Sequence, residues 1–136
     1  MRETDEKLCP FCARQEAVEA RVLVRDKTSF CIYDKYPVSN GHALVIPNRH
    51  VSSFFELTDA EKFSLLETLS KAKIIIDSKR KPQGYNIGIN DGAEAGQTVF
   101  HLHIHLIPRY AGDIDKPEGG VRWIFPSKAL YGEHRD

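Results

Sequence analysis

Apolar and polar residues alternate with a period of two from His101 to Leu106, the most regular pattern in the chain. In a strand, His101-Leu102-His103-Ile104-His105-Leu106-Ile107 sends its three imidazoles to one face and Leu102, Ile104 and Leu106 to the other, toward a core. A helix would scatter the same residues around its axis. The strand is taken as Val99 to Ile107. Short apolar runs between turn residues predict further strands over Ala17–Val24, Ser29–Tyr33, His42–Ile46 and Tyr85–Ile89. Arg25-Asp26-Lys27 and Ser39-Asn40-Gly41 supply turns, and Pro47 ends the third run.

One segment has helical periodicity instead. Leu65, Leu69, Ala72 and Ile76 recur on one face, with Leu66 and Ile75 widening the stripe. Thr58-Asp59-Ala60-Glu61 is a capping box at its start. Lys79, Arg80 and Lys81 suit the negative end of the helix, and Pro82 stops it. Strands before and after one long helix predict an α+β fold with a mainly antiparallel sheet. Residues 1–16 form an irregular arm and 111–136 a tail, whose apolar piece Val121–Phe125 has no place fixed by pattern.

Composition narrows the classes. The 136 residues fit one domain, 1–136, with a real hydrophobic core. Lys+Arg and Asp+Glu are both 19, which argues against a general nucleic-acid binder. No apolar run reaches membrane-spanning length, and Met1–Lys7 has no apolar signal core, so a cytoplasmic location is expected. Three cysteines, Cys9, Cys12 and Cys31, do not make a disulfide framework.

Two chemistries suit three histidines on one strand: a shared metal ion, or one nucleophilic imidazole oriented by the others. The preceding loop, Asn90-Asp91-Gly92-Ala93-Glu94-Ala95-Gly96-Gln97-Thr98, favours the second. Its glycines permit close backbone approach, and successive N–H groups there make an anion cradle. Gln97 and Thr98 add side-chain donors. An anion site beside imidazoles points to phosphoryl or nucleotidyl chemistry.

The run Asn90-Asp91-Gly92-x-x-Ala95-Gly96-Gln97-Thr98-Val99-x-His101-x-His103-x-His105-Leu106-Ile107-Pro108-Arg109 strongly resembles the histidine triad (HIT) family of nucleotide hydrolases and transferases. Asp34-x-x-Pro37-Val38-Ser39-x-Gly41-His42-Ala43-Leu44-Val45-Ile46-Pro47 is similar to the same family. The resemblance implies that His103 attacks an α-phosphorus to form a nucleotidyl-histidine, which water then cleaves to a nucleoside monophosphate. It implies that His105 binds a phosphate oxygen, and that Gln97 and Thr98 lie near the leaving and bridging oxygens. Asp34 would take the ribose hydroxyls, Asn90 would face the ribose-phosphate, and His42 would lie beside the site. It also implies a homodimer. The loop looks most like the branch that cleaves dinucleoside polyphosphates. Phosphoramidates, or a nucleotide-binding signalling module with weak turnover, are the alternatives.

Cys9-Pro10-Phe11-Cys12 has the spacing of half a tetrahedral zinc site. A redox pair would open a helix after a strand, a context missing here. His50, Cys31, His134 and the triad offer the remaining ligands. Similarity to bacterial-type members of the family implies a structural zinc on Cys9, Cys12, His50 and His101, leaving His103 and His105 for chemistry. Cys31 reads as a strand core residue.

Overall fold

The capping box at Thr58 starts the longest element. In the computed structural model, which describes residues 8–12 and 16–132, the Glu61 N–H donates to Thr58 Oγ1 at 3.1 Å and the Thr58 N–H donates to Glu61 Oε1 at 2.9 Å. Two free N–H groups at the helix start are thereby satisfied reciprocally. The elements in chain order are α1 (Glu16–Glu19), β1 (Val22–Arg25), β2 (Ser29–Tyr33), β3 (Ala43–Pro47), α2 (Asp59–Arg80), β4 (Gly84–Gly88) and β5 (Ile104–Arg109). Lys81 ends α2 in the left-handed region, φ 51°. The charged start Met1–Lys7 and His134 lie outside the described residues.

The five strands form one sheet in the order β1-β2-β3-β5-β4, and every neighbouring pair is antiparallel. Chain order is broken because α2 crosses over between β3 and β4, leaving room for β5 in the middle. Side-chain alternation then makes two apolar faces. Cys31, Ala43, Val45, Ile104 and Leu106 pack under α2 with Leu65, Ala72 and Ile76. Phe30, Ile32, Leu44 and Ile46 face the other way, covered by Val18, Phe11 and Val22. His105 is paired with Leu44 across the ladder and shares that second face.

The structure corrects several boundaries. The expected strand Ala17–Val24 divides into α1 and β1, joined by a turn that the Arg21 N–H closes on Val18 O at 3.0 Å. The ladder to β2 takes in Val22, Val24 and Arg25, the Tyr33 N–H of β2 donates to Arg21 O at 3.1 Å just before it, and Val18 covers the second apolar face instead. The last strand begins at Ile104 rather than Val99, because its ladder to β3 starts at Ile104–Val45. Upstream, the Leu102 N–H bonds to Val51 O at 2.7 Å. On α2, Leu66 is 52% exposed and does not widen the buried stripe. It lies about 100° around the axis from Leu65. Ser64 and Thr68 are buried there instead, both bonded to the Ser29 hydroxyl, at 2.9 and 2.7 Å.

The tail turns in on itself. Short 3₁₀ turns span Gly120–Ile124 and Pro126–Lys128. Arg122 donates to the carbonyls of Ala129 and Lys128, and Trp123 Nε1–H donates to Glu118 O. Arg109 is likewise engaged, through a paired contact with Asp113 and a bond to Asn86. Among the described residues no helix is long and apolar enough to cross a membrane.

Candidate active site and metal centre

The alternation expected for the histidine strand holds on its apolar side: Leu102, Ile104 and Leu106 are all buried. On the polar side the three imidazoles separate. His103 and His105 remain neighbours, with ring centroids 5.1 Å apart. His101 lies before the ladder and is fully buried against Cys9 and His50.

Fixed backbone partners assign the protons. The Val38 N–H donates to His42 Nδ1 at 3.1 Å, so a neutral His42 carries its proton on Nε2. That Nε2 lies 3.0 Å from His105 Nδ1 and 3.4 Å from Asp34 Oδ2. Donation to His105 Nδ1 leaves His105 with its proton on Nε2. His103 is set the other way round. Its Nδ1 is 2.9 Å from the carbonyl of His101, which can only accept, so Nδ1 carries the hydrogen and Nε2 keeps a lone pair. The site therefore presents one basic nitrogen and, next to it, one N–H donor. Burial pulls His103 below the ordinary histidine value, with the His101 carbonyl and Asp34 opposing. Burial also takes His105 down to about 4, helped by His103 and His42. Burial therefore favours the neutral form of both rings.

The loop before the strand is fastened by its own side chains. The Gly92 N–H donates to Gln97 Oε1 at 2.8 Å, and Gln97 Nε2 donates to Ser52 O and Val99 O at 2.9 and 3.2 Å. Gln97 is buried and serves as a strut of the loop, while Thr98 and Asn90 are exposed at its surface. Asp91, which reads in the sequence only as turn chemistry, accepts from Ser53 Oγ–H and the Phe54 N–H, both at 3.0 Å. Asp34 accepts from the Tyr36 N–H at 2.7 Å and lies against His42. Two contributors escaped the sequence reading. The Val38 N–H leaves no side-chain signature, and Phe11 shows only as the apolar residue inside the cysteine motif. Its ring stands edge-on to His103, with centroids 4.9 Å apart.

Cys9, Cys12, His50 and His101 converge with their ligand atoms all within 4.8 Å of one another, close enough to hold a metal ion. A tetrahedral metal with bonds of about 2.0–2.3 Å separates its ligand atoms by about 3.3–3.8 Å. Cys9 Sγ lies 3.3 Å from His101 Nδ1, Cys12 Sγ 3.8 Å from His50 Nδ1, and the two Nδ1 atoms 3.1 Å apart. His101 Nε2–H is held by Pro47 O at 2.8 Å, which turns the Nδ1 lone pair into the cluster. His50 Nε2 is buried without a partner, so that ring takes its orientation from what its Nδ1 meets. Burial pushes the Cys9 thiol up to about 12, and a thiolate there needs a cation beside it. The donor set fits zinc. Cys31 is buried in β2, away from this cluster. A second group, Asp34, His42 and His105, also lies close together, but the Val38 hydrogen bond occupies the lone pair of neutral His42 and leaves Nε2 protonated.

Fold and site together describe a small α+β protein with an imidazole pair on the sheet face opposite its long helix. The HIT domain family matches residues 15–112, and the chain belongs to that family. An AP-4-A phosphorylase of Mycobacterium tuberculosis is 38% identical over 96 residues, covering 70% of this chain and 49% of that protein. A bis(5'-nucleosyl)-tetraphosphatase [asymmetrical] of Schizosaccharomyces pombe is 38% identical over 99 residues, covering 73% of this chain and 54% of that one. The chain thus spans about half the length of these curated relatives. A HIT family protein from Bacillus anthracis, solved by crystallography, superposes with a TM-score of 0.68 at 33% identity, covering 79% of this chain and 81% of that one.

Proposed function

We propose that the protein is a nucleotide hydrolase or transferase acting at an α-phosphorus through His103, with dinucleoside polyphosphates as the leading substrates. The observation that carries this reading is the bond from His103 Nδ1 to the His101 carbonyl, which leaves Nε2 as a neutral nucleophile in the site. The two relatives named for tetraphosphate chemistry support the substrate class. His103 Nε2 forms a bond to the α-phosphorus as the bond to the leaving phosphate oxygen breaks. His105 Nε2–H donates to a non-bridging oxygen, where negative charge gathers in the transition state. Water then attacks phosphorus, the P–N bond breaks, a nucleoside monophosphate leaves and the imidazole returns to its starting form. If inorganic phosphate attacks instead, the product is a nucleoside diphosphate. Thr98 and Asn90 face the polyphosphate from the loop rim, Gln97 holds that rim in shape, and Asp34 and His42 lie beside the nucleoside.

Zinc on Cys9, Cys12, His50 and His101 is structural in this scheme, tying the arm to the start of the histidine segment. The active form is a homodimer, a reading supported by Phe63, Leu66 and Ile74 exposed along the outer face of α2 and by the open edge of β4. Thiols kept reduced as metal ligands suit the cytoplasm. Incubation with diadenosine tetraphosphate in ¹⁸O-water, with and without phosphate, tests the function. Monophosphate carrying ¹⁸O indicates hydrolysis, and diphosphate formed only with added phosphate indicates phosphorolysis. Turnover of adenosine phosphoramidate alone would move the assignment to the phosphoramidase branch, and turnover of neither would refute it.

A further inference from the structure

The Cys9–Cys12 loop does more than offer two sulfurs. Phe11 lies between them, and its ring meets His103 edge-on at 4.9 Å and 69°, and His101 at 6.3 Å and 81°. The ring also packs against the apolar cluster of Val18, Phe30, Ile32, Leu44 and Ile46. Three contacts bear on the His103 ring among the described residues. A hydrogen bond at Nδ1 fixes its tautomer, the His105 ring stands on one side at 5.1 Å, and Phe11 stands against it as the third. One hydrogen bond fixes a point on the ring and leaves the tilt about the Nδ1···O line free. Packed neighbours must set that tilt, and with it the direction of the Nε2 lone pair. An edge-to-face aromatic pair contributes about 0.5–1.5 kcal/mol beyond the area it buries.

We infer that Phe11 is a positioning residue that holds the His103 imidazole in its attacking orientation, and that closure of the Cys9–Cys12 loop on its metal sets Phe11 in place. The inference rests on His103 being the nucleophile. The metal cluster and the nucleophile are then joined mechanically: through Phe11 on one side, and through the His101 carbonyl on the other. This explains why the apolar residue sits inside the metal-binding loop, two residues after Cys9 and adjacent to Cys12. A misaligned nucleophile loses rate steeply, roughly 100-fold for a displacement of about 1 Å.

The test compares Phe11→Leu, which keeps most of the volume without the ring, with Phe11→Tyr, which keeps the ring. Zinc content is measured in every sample. Single-turnover formation of the nucleotidyl-His103 adduct gives the chemical rate, and titration with a non-hydrolysable dinucleotide analogue gives affinity. Long-range ¹H–¹⁵N correlations report the His103 ring without substrate. Phe11→Leu should slow adduct formation by about 10- to 100-fold, with zinc content and analogue affinity held within about threefold, equivalent to under 1 kcal/mol. Phe11→Tyr should restore most of the rate. The His103 ring signals should broaden or split in Phe11→Leu and in zinc-stripped wild type alike. An unchanged adduct rate in Phe11→Leu, or weakened analogue binding with an unchanged rate, overturns the proposal, the latter making Phe11 a substrate contact. A slower rate explained by lost zinc overturns it too. An adduct present on His103 in wild type during those failures leaves the assigned function standing. Its absence from wild type removes both.

Discussion

Stripping the metal from the Cys9–Cys12–His50–His101 cluster should unfasten the amino-terminal arm and lower stability by several kcal/mol. The donors set how the ion is held, and mass action on the bound ion sets the magnitude. Burial holds the Cys9 thiol up at about 12, so it stays protonated at pH 7 unless a cation offsets its ionisation. The ion must offset that ionisation and still bind, so its affinity falls as pH falls. Free zinc at about 1,000 times its dissociation constant stabilises the fold by about 4 kcal/mol. For a domain of this size each kcal/mol is worth about 3–5 °C, so the expected drop on metal removal is about 12–20 °C. The assay is a thermal melt of protein as purified, after chelation and after zinc is returned, with elemental analysis of each sample. Cys12→Ser should reproduce the chelated melt and respond little to further chelator. A purified sample without bound zinc, or a shift under about 2 °C after verified metal loss, would refute the reasoning.

The pH dependence has a definite sign. Because burial holds His103 below its ordinary 6.5, kcat/KM should stay level as pH drops through 6.5 and decline only below it, and an acid limb at or above 6.5 contradicts this. The same burial lowers His105 to about 4. The unfolded chain then binds more protons than the native one between about pH 6.5 and 4, so stability present at neutral pH should be lost on acidification through that window, read by urea melts. Gln97→Ala strands the Gly92 N–H and the Ser52 and Val99 carbonyls, and should cost about 2–3 kcal/mol before any effect on chemistry. A denaturation midpoint at the wild-type value would show that the strut does not matter. Thr58→Ala removes one half of the capping box and should cost about 1 kcal/mol of stability with kcat unchanged.

Much of this was legible in the chain because it depends on local rules. The Thr58–Glu61 capping box and the run of Leu65, Ala72 and Ile76 placed α2, and the alternation of Leu102, Ile104 and Leu106 placed the last strand against the core. The Cys-x-x-Cys spacing supplied Cys9 and Cys12, and the family resemblance, not the spacing, added His50 and His101, which the structure brings to the same cluster. What the sequence hid was set by partners distant along the chain. Val18 looks like a strand residue, yet bonding to β2 begins only at Arg21, beyond the turn that Val18 O closes. The strand start at Ile104 rather than Val99 depends on where β3 stops, which alternation cannot show. Gln97 reads as a donor aimed at substrate, yet its amide is bonded to Ser52, 45 residues away. The proton positions on His42 and His105 trace to a backbone N–H at Val38, for which any residue except proline would serve.

The proposed reaction depends most on His103 as the nucleophile. A brief incubation with diadenosine tetraphosphate, followed by acid-free digestion and mass analysis, tests it most directly. The peptide carrying His103 should gain one adenylyl group, and His103→Ala should lose both the adduct and turnover while still binding the substrate. An adduct on another residue, or a His103→Ala variant that still turns over, would contradict it.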